Sequence, residues 1–215
     1  MSVMASLDPN YEFNRIQELI NVYKPQIKII REDIKERIST KKYGNDGLPF
    51  HRGFYCPSKI VDVMCDTSRG SLADHKDHKQ TKFHYGFDQF GNLIFVKQGA
   101  ELEYILRHNG VELGLSIRGG QIQRVSECEW NRGGRLKKYS LFEQFDQFST
   151  HTIEHYTYTP DRMQVEIENY LNRKEQSLFS KEKYVFVVED GKLKKYWSEQ
   201  RSEMIYDVFI DRTID

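Results

Sequence analysis

Cysteine is scarce in this sequence, and the few cysteines present follow no known pattern. The 215 residues contain three, Cys56, Cys65 and Cys128, so the count is odd and no pair has C-x-x-C spacing. That argues against a disulfide framework and against a zinc site built on cysteine. The chain also begins without a signal-peptide pattern, and its apolar runs are far too short to span a bilayer. We therefore predict a cytoplasmic protein with no membrane partner.

The sequence also lacks a net charge and any local catalytic motif. Its 32 basic residues are balanced by 32 acidic ones. Nucleic-acid binding draws its affinity from neutralised phosphates and usually needs a basic excess, so we predict no nucleic-acid partner. No G-x-S-x-G, P-loop or G-x-G-x-x-G pattern is present. We predict no catalytic residues and no cofactor from these absences.

One long amphipathic helix is predicted over residues 8–40. Asp8 is a suitable N-cap residue, and Pro9 suits the first helical position. Apolar side chains then recur three and four residues apart, which places them on one stripe of a helix. They are Ile16, Ile20, Tyr23, Ile27, Ile30, Ile34 and Ile38. Pro25 interrupts the pattern and is expected to kink or split the helix.

Three segments follow from composition. The helical segment is assigned to residues 1–45. The turn Gly44-Asn45-Asp46-Gly47 spans the boundary to residues 46–82, which contain several further Gly and Pro residues, so we predict an irregular connector there. Residues 83–215 alternate β-branched or aromatic residues with charged ones, which predicts an antiparallel β-meander domain.

Short turns containing glycine separate the predicted strands, so consecutive strands should pair antiparallel. The predicted strands are 82–87, 93–98, 101–107, 111–117, 121–129, 135–146, 151–158, 163–172, 183–188, 192–198 and 204–210. Several have one apolar face and one mixed face of polar and aromatic residues. The fold class predicted is α+β, mainly β: a long N-terminal helix packed as a lid on an extended antiparallel meander sheet.

A weak internal repeat runs through the β segment: an aromatic strand end, a polar turn with glycine, and an aliphatic residue on the return strand. Its copies lie at 85–93, 130–139 and 186–196, with a degenerate copy at 156–163. This pattern resembles RHS/YD-type and MORN-like β-hairpin repeats, and more closely the hairpin-repeat immunity proteins found beside polymorphic toxins in bacteria. The resemblance implies a protein that binds and occludes a cognate toxin domain, without catalytic residues of its own.

Exposed aromatic residues interleaved with charges provide the candidate partner surface. Tyrosine and tryptophan supply large, stiff contact areas and are common at binding hot spots. The predicted partner-binding residues are Tyr139, Tyr156, Tyr158, Glu166, Glu168, Tyr170, Tyr196 and Trp197. The alternative interpretation of each aromatic residue is cross-strand packing within the sheet.

Two histidine pairs suggest a metal site as an alternative. His75 and His78 lie in a polar run with lysines, which favours a solvated loop. His151 and His155 flank a glutamate, but not in the order of the H-E-x-x-H motif and not on a predicted helix.

The function predicted is therefore a non-catalytic module that binds a protein, specifically an immunity protein that blocks a toxin. A metal-dependent hydrolase using His151 and His155 is one alternative. A scaffold in which the stripe of residues 16–38 mediates oligomerisation is the other.

Overall fold

The computed structural model describes residues 9–45, 51–61, 69–75, 81–173, 176–189 and 192–198. Of residues 9, 10, 176, 177, 188, 189, 192–195 and 197 it describes only the backbone. Two helices separated by a 3₁₀ turn precede the strands. The elements are α1 (Pro9–Tyr23), the 3₁₀ turn (Lys24–Gln26), α2 (Ile27–Arg37), β1 (Thr40–Asn45), a second 3₁₀ turn (Gly53–Tyr55), β2 (Ser71–Ala73), β3 (Thr81–Phe87), β4 (Leu93–Gln98), β5 (Glu101–His108), β6 (Val111–Arg118), β7 (Gln121–Trp130), β8 (Leu136–Gln144), β9 (Phe148–Tyr158), β10 (Arg162–Arg173), β11 (Gln176–Glu189) and β12 (Lys192–Ser198).

The described strands form a single antiparallel sheet. Its order is β12-β11-β10-β9-β8-β7-β6-β5-β4-β3-β1-β2, so consecutive strands are neighbours everywhere from β3 to β12. The predicted meander is confirmed over this range. The largest difference in bounds is at β11, which begins at Gln176 rather than at residue 183. The predicted strand 204–210 lies outside the described residues.

The predicted helix is present, and Pro25 interrupts it as expected. The 3₁₀ turn at Lys24–Gln26 separates α1 from α2, because proline lacks the N–H that would continue the α-helical bonds. The helix ends at Arg37, not at residue 40. The backbone turns extended at Ile38, and Thr40 begins β1.

Two strands were missed by the sequence analysis. β1 lies within the predicted helical segment 1–45, and β2 lies within the predicted connector 46–82. Both join the main sheet, with β1 paired to β3 along its whole length and to β2 at residues Tyr43–Asn45. Polar residues and a glycine give residues 40–45 a low intrinsic strand propensity. Pairing with β3, and not that propensity, therefore makes this segment a strand.

The sheet has a covered apolar core on each of its faces. Residues directly opposite in antiparallel strands point to the same side, so the register assigns every strand position to a face. On the helix face, Ile16, Ile30 and Ile34 pack against strand residues that include Leu115 and Phe142. The prediction that the helix stripe packs on the sheet is confirmed.

Residues 51–61 lie on the opposite face. A Cβ added at Gly53 would lie 2.6 Å from the ring of Phe83, so the backbone there runs close to that ring. Ile60 packs with Met163 and Phe186 in a core on that side. The alternation along the strands predicts one dry face and one face open to a partner. The structure has a dry region on both faces, because the connector covers the side that the helix leaves bare.

Candidate functional site

The predicted partner-binding residues do not form one surface. The register divides them between the two faces of the sheet. Glu166, Glu168 and Tyr170 lie on the helix face. On the opposite face lie Tyr139, Tyr156, Tyr158 and Tyr196. The side chain of Trp197 is outside the described part of the structure.

Tyr139 and Tyr156 are core residues, which corrects their assignment to an exposed surface. Their relative exposures are 3% and 6%. The Tyr139 hydroxyl lies 2.8 Å from Nδ1 of His51, and the Tyr156 hydroxyl accepts a hydrogen bond of 3.0 Å from the backbone N–H of Lys59. The connector therefore shields both rings, and burial raises the pKa of both hydroxyls well above the ordinary value.

Tyr158 and Tyr196 are half-buried at the margin of the same core. The Tyr158 ring stacks beside Tyr156 with centroids 6.3 Å apart, and the Arg135 guanidinium lies 5.4 Å from its centroid. Tyr196 stacks on Phe186 at 5.8 Å. The cross-strand packing interpretation describes these two residues.

Glu166, Glu168 and Tyr170 do come together, and two residues of β11 complete the group. Phe179 and Lys181 pair directly with Tyr170 and Glu168, respectively. We name these five side chains the β10–β11 surface. Phe179 and Lys181 were not among the predicted residues, because the predicted strand begins at residue 183. The alternation of Phe179, Lys181 and Lys183 was the signal that an earlier start would have used.

The charges of this surface hold one another in place. Lys181 Nζ lies 3.2 Å from Glu166 Oε2 and 3.1 Å from Glu168 Oε1. The Tyr170 hydroxyl donates to Glu168 Oε2 at 2.9 Å. Burial raises the pKa of Glu168, but the hydrogen bonds from Tyr170 and Lys181 outweigh it, and the net pKa lies below the ordinary value. The carboxylate therefore stays ionised as an acceptor.

The aromatic part of the surface lies outside the apolar core that the helix covers. The Tyr170 and Phe179 ring centroids are 4.9 Å apart, and Phe179 is 54% exposed. In the core of the helix face, contacts extend from β4 only as far as Phe142 in β8. Strands β10 and β11 thus present Phe179, Lys181 and Glu166 to solvent, with Tyr170 and Glu168 half-buried beside them.

A second group of polar residues lies buried under the connector. Arg52 Nε donates to Glu103 Oε1 at 2.8 Å and its Nη2 donates to Ser126 Oγ at 3.0 Å, while Nη1 binds Glu112. His51 Nε2 lies 3.1 Å from a Glu103 carboxylate oxygen. Burial by itself would lower the pKa of Arg52, but the facing carboxylates, Glu103 first among them, raise it. The cluster is a closed ion network.

The backbone at Arg52 is strained to reach this network. Arg52 has a φ of 59° and is followed by Gly53 at 52°, which places two consecutive residues in the left-handed region. Such strain persists only where the surroundings stabilise it. Gly114 makes room on the sheet side, since a Cβ there would lie 2.0 Å from Glu103 Oε1. No local sequence signal links these residues.

The titratable groups near this network are poorly suited to nucleophilic chemistry. Burial raises the pKa of Cys128 to about 12, so its thiol stays protonated. Burial also raises the pKa of Glu154 to about 7, although Tyr156 and Ser58 donate hydrogen bonds to it. Both groups lie among packed side chains rather than in an open cleft.

The histidines considered for a metal site differ in burial, and one of them lies outside the described residues. His151 is buried, its Nε2 lies 2.7 Å from Ser140 Oγ, and burial lowers its pKa to about 4. His155 is half-buried on the same face. His78 lies outside the described residues. Among the residues that the structure describes, no group of three or more His, Cys, Asp or Glu side chains is arranged to hold a metal.

Comparison with known proteins found no matching family model, no matching curated protein and no matching solved structure. Within the described part of the chain, no helix has the length and apolar character needed to cross a membrane. Function is therefore inferred from the geometry of the chain itself.

Proposed function

We propose that this chain is a non-catalytic binding protein that holds a partner protein against the β10–β11 surface. The observation that carries the proposal is the contacting pair of half-buried Tyr170 and exposed Phe179 beside the triad of Glu166, Glu168 and Lys181. Aromatic anchors next to charged groups are the usual composition of a protein-binding hot spot.

The surface is preorganised, and preorganisation favours affinity. Its side chains stand on two strands that are paired over twelve positions, from Arg162 to Arg173 and from Gln176 to Val187. Lys181 is held by two carboxylates, so little side-chain entropy remains to be lost on binding. The aromatic pair would supply affinity, and the charges would set the orientation of the partner.

The resemblance to hairpin-repeat immunity proteins suggests the class of partner, namely a toxin domain whose active site is occluded. Two matching turns are consistent with that resemblance. Asp88 Oδ1 accepts from the N–H groups of Phe90 and Asn92, and Asn131 Oδ1 accepts from those of Gly133 and Arg135. In this proposal the protein acts by steric blocking and needs no catalytic group.

The test is co-expression with the toxin candidate encoded beside the gene for this chain, followed by titration calorimetry on the purified pair. The double variant Tyr170→Ala with Phe179→Ala should weaken binding by at least about 30-fold, the effect of losing roughly 2 kcal/mol at a hot spot. Phe90→Ala is the matched control, because Phe90 is 79% exposed in the turn between β3 and β4.

Two results would oppose the proposal in different ways. If the wild-type chain neither protects the cells nor binds the toxin candidate, the immunity role is rejected. If the double variant binds as tightly as Phe90→Ala, binding is real but the β10–β11 surface is not where it occurs.

A further inference from the structure

A cleft opens between α2 and the strands β1, β3, β4 and β5, toward the end of the sheet opposite the β10–β11 surface. Its volume is about 320 Å³, at the lower end of the range for small-molecule sites, roughly 300–1,000 Å³. The apolar part of its lining comes from α2 and the strands facing it, chiefly Ile34, Ile38, Phe95, Leu102 and Tyr104.

The position of Ile38 explains part of the shape of the cleft. Ile38 follows the last turn of α2 and lies directly on Gly86 of β3, where an added Cβ would come within 2.9 Å of its side-chain carbons. The absence of a side chain at Gly86 therefore lets the chain leave the helix close to the sheet. The cleft lies beside this contact, between α2 and the strands.

The rim of the cleft is strongly cationic. Arg31, Lys35, Lys41 and Lys97 line it, together with His84, and no carboxylate does so among the described residues. Lys35 is paired with Glu32 at 3.0 Å. The side chains of Arg31, Lys41 and Lys97 make no hydrogen bond or ion pair with any residue that the structure describes, although the charge of Glu32 acts on Arg31, and all three residues are exposed.

Like charges gathered around an apolar cleft repel one another, and a bound anion would relieve that repulsion. The overall charge of the chain is zero, so this concentration of cations is local rather than a result of a basic composition. An apolar lining beneath a cationic rim complements a ligand that has an apolar body and one anionic head.

We propose that this cleft is a binding site for a small apolar anion, an aliphatic or aromatic molecule that ends in a carboxylate or a phosphate. The apolar body occupies the space between α2 and β4–β5, and the anionic head lies between Lys41, Lys97 and Arg31. This inference goes beyond the proposed function and involves different strands, so either one can fail without the other.

Titration calorimetry of the whole chain with sodium decanoate, below its micellar concentration, tests the proposal. Decanoate should bind saturably. Decyltrimethylammonium, with the same tail and a cationic head, should not bind, and inorganic phosphate, which has no apolar body, should bind far more weakly. Decyl phosphate in place of decanoate distinguishes the two anionic heads.

Charge reversal locates the site. Lys41→Glu and Lys97→Glu should each weaken decanoate binding by about tenfold or more. Lys42→Glu is the matched control. Lys42 follows Lys41 on β1 but points to the other face of the sheet, where its cross-strand partner is Tyr85. Both reversals are at exposed positions, and thermal unfolding checks that the variants are folded.

The proposal is overturned if decanoate and decyl phosphate both fail to bind, or if decyltrimethylammonium binds equally well. It is also overturned if the two reversals bind as the control does. Binding of an acidic peptide without binding of either decyl anion would instead make the cleft a peptide site and would reject the small-ligand assignment.

Discussion

Arg52 Nε donates a 2.8 Å hydrogen bond to Glu103 Oε1, and both side chains are shielded from water. The two residues are 51 positions apart, one in the connector and one in β5. This contact attaches the connector to the centre of the sheet. It explains how residues predicted to form an irregular connector come to cover a core.

Removing the arginine should be strongly destabilising. Arg52→Met removes the guanidinium shared by Glu103 and Glu112, leaving only His51 beside Glu103 and Arg107 beside Glu112. Breaking a buried pair in this way costs about 3–5 kcal/mol. The control is Lys137→Met, which removes an exposed pair with Glu129 at 3.4 Å and should cost at most about 1 kcal/mol. Urea unfolding followed by circular dichroism measures both. Equal free energies of unfolding for the two variants would contradict the network.

Acid should weaken the same network. The pKa of Glu103 is about 2 in the folded chain, because Arg52 and His51 outweigh the effect of burial, against an ordinary value of 4.5. A lowered folded-state pKa stabilises the protein above about pH 4.5, and this stabilisation is lost as the pH falls toward 2. Urea unfolding between about pH 5 and pH 2.5 should show a steeper loss for wild type than for Glu103→Gln. Parallel curves would refute this prediction.

Glu154 should act in the opposite direction. Burial raises its folded-state pKa to about 7 from an ordinary 4.5, so its ionisation disfavours the folded state. Wild type should lose stability relative to Glu154→Gln as the pH rises from about 4.5 to 7, by roughly 2 to 3 kcal/mol. The comparison is made by urea unfolding at both ends of that range. A constant difference between the two proteins would show that Glu154 is not buried as described.

A methyl group at Gly114 should be poorly tolerated. The Cβ of Gly114→Ala would lie 2.0 Å from Glu103 Oε1 and 2.5 Å from Arg52 Nη2, so the network must shift. We expect a loss of about 1–3 kcal/mol, as for other overpacked sites. Gly133→Ala is the control, since its Cβ would meet only Asn131 Oδ1 at 3.4 Å. Thermal unfolding should rank the control close to wild type, and a reversed order would count against the packing at Gly114.

Two isoleucines of α2 test the lid. Ile34 lies on the buried side of the helix and is 0% exposed, whereas Ile29 is 72% exposed. Ile34→Ala should cost about 2–5 kcal/mol through the lost contacts and the cavity. Ile29→Ala should change the free energy of unfolding by no more than about 0.5 kcal/mol. If Ile34→Ala were as mild as Ile29→Ala, the helix would not be part of the core.

The candidate surface was only partly predictable. Glu166, Glu168 and Tyr170 were identified because their alternation along one strand assigns them to one face. Tyr139 and Tyr156 were assigned wrongly because the same alternation cannot show which face another segment covers. Burial of Tyr139 depends on His51, which is 88 residues away.

Alternation, glycine-bearing turns and the three-and-four spacing of isoleucines determined the helix, the interruption at Pro25 and the strands of the meander, because short-range sterics and short turns control them. The tertiary structure decided the rest. It recruited Thr40–Asn45 into the sheet, brought Arg52 between Glu103 and Glu112, and left Phe179 54% exposed. These outcomes depend on contacts between segments distant in the chain. A local sequence pattern does not show which distant segment will cover it.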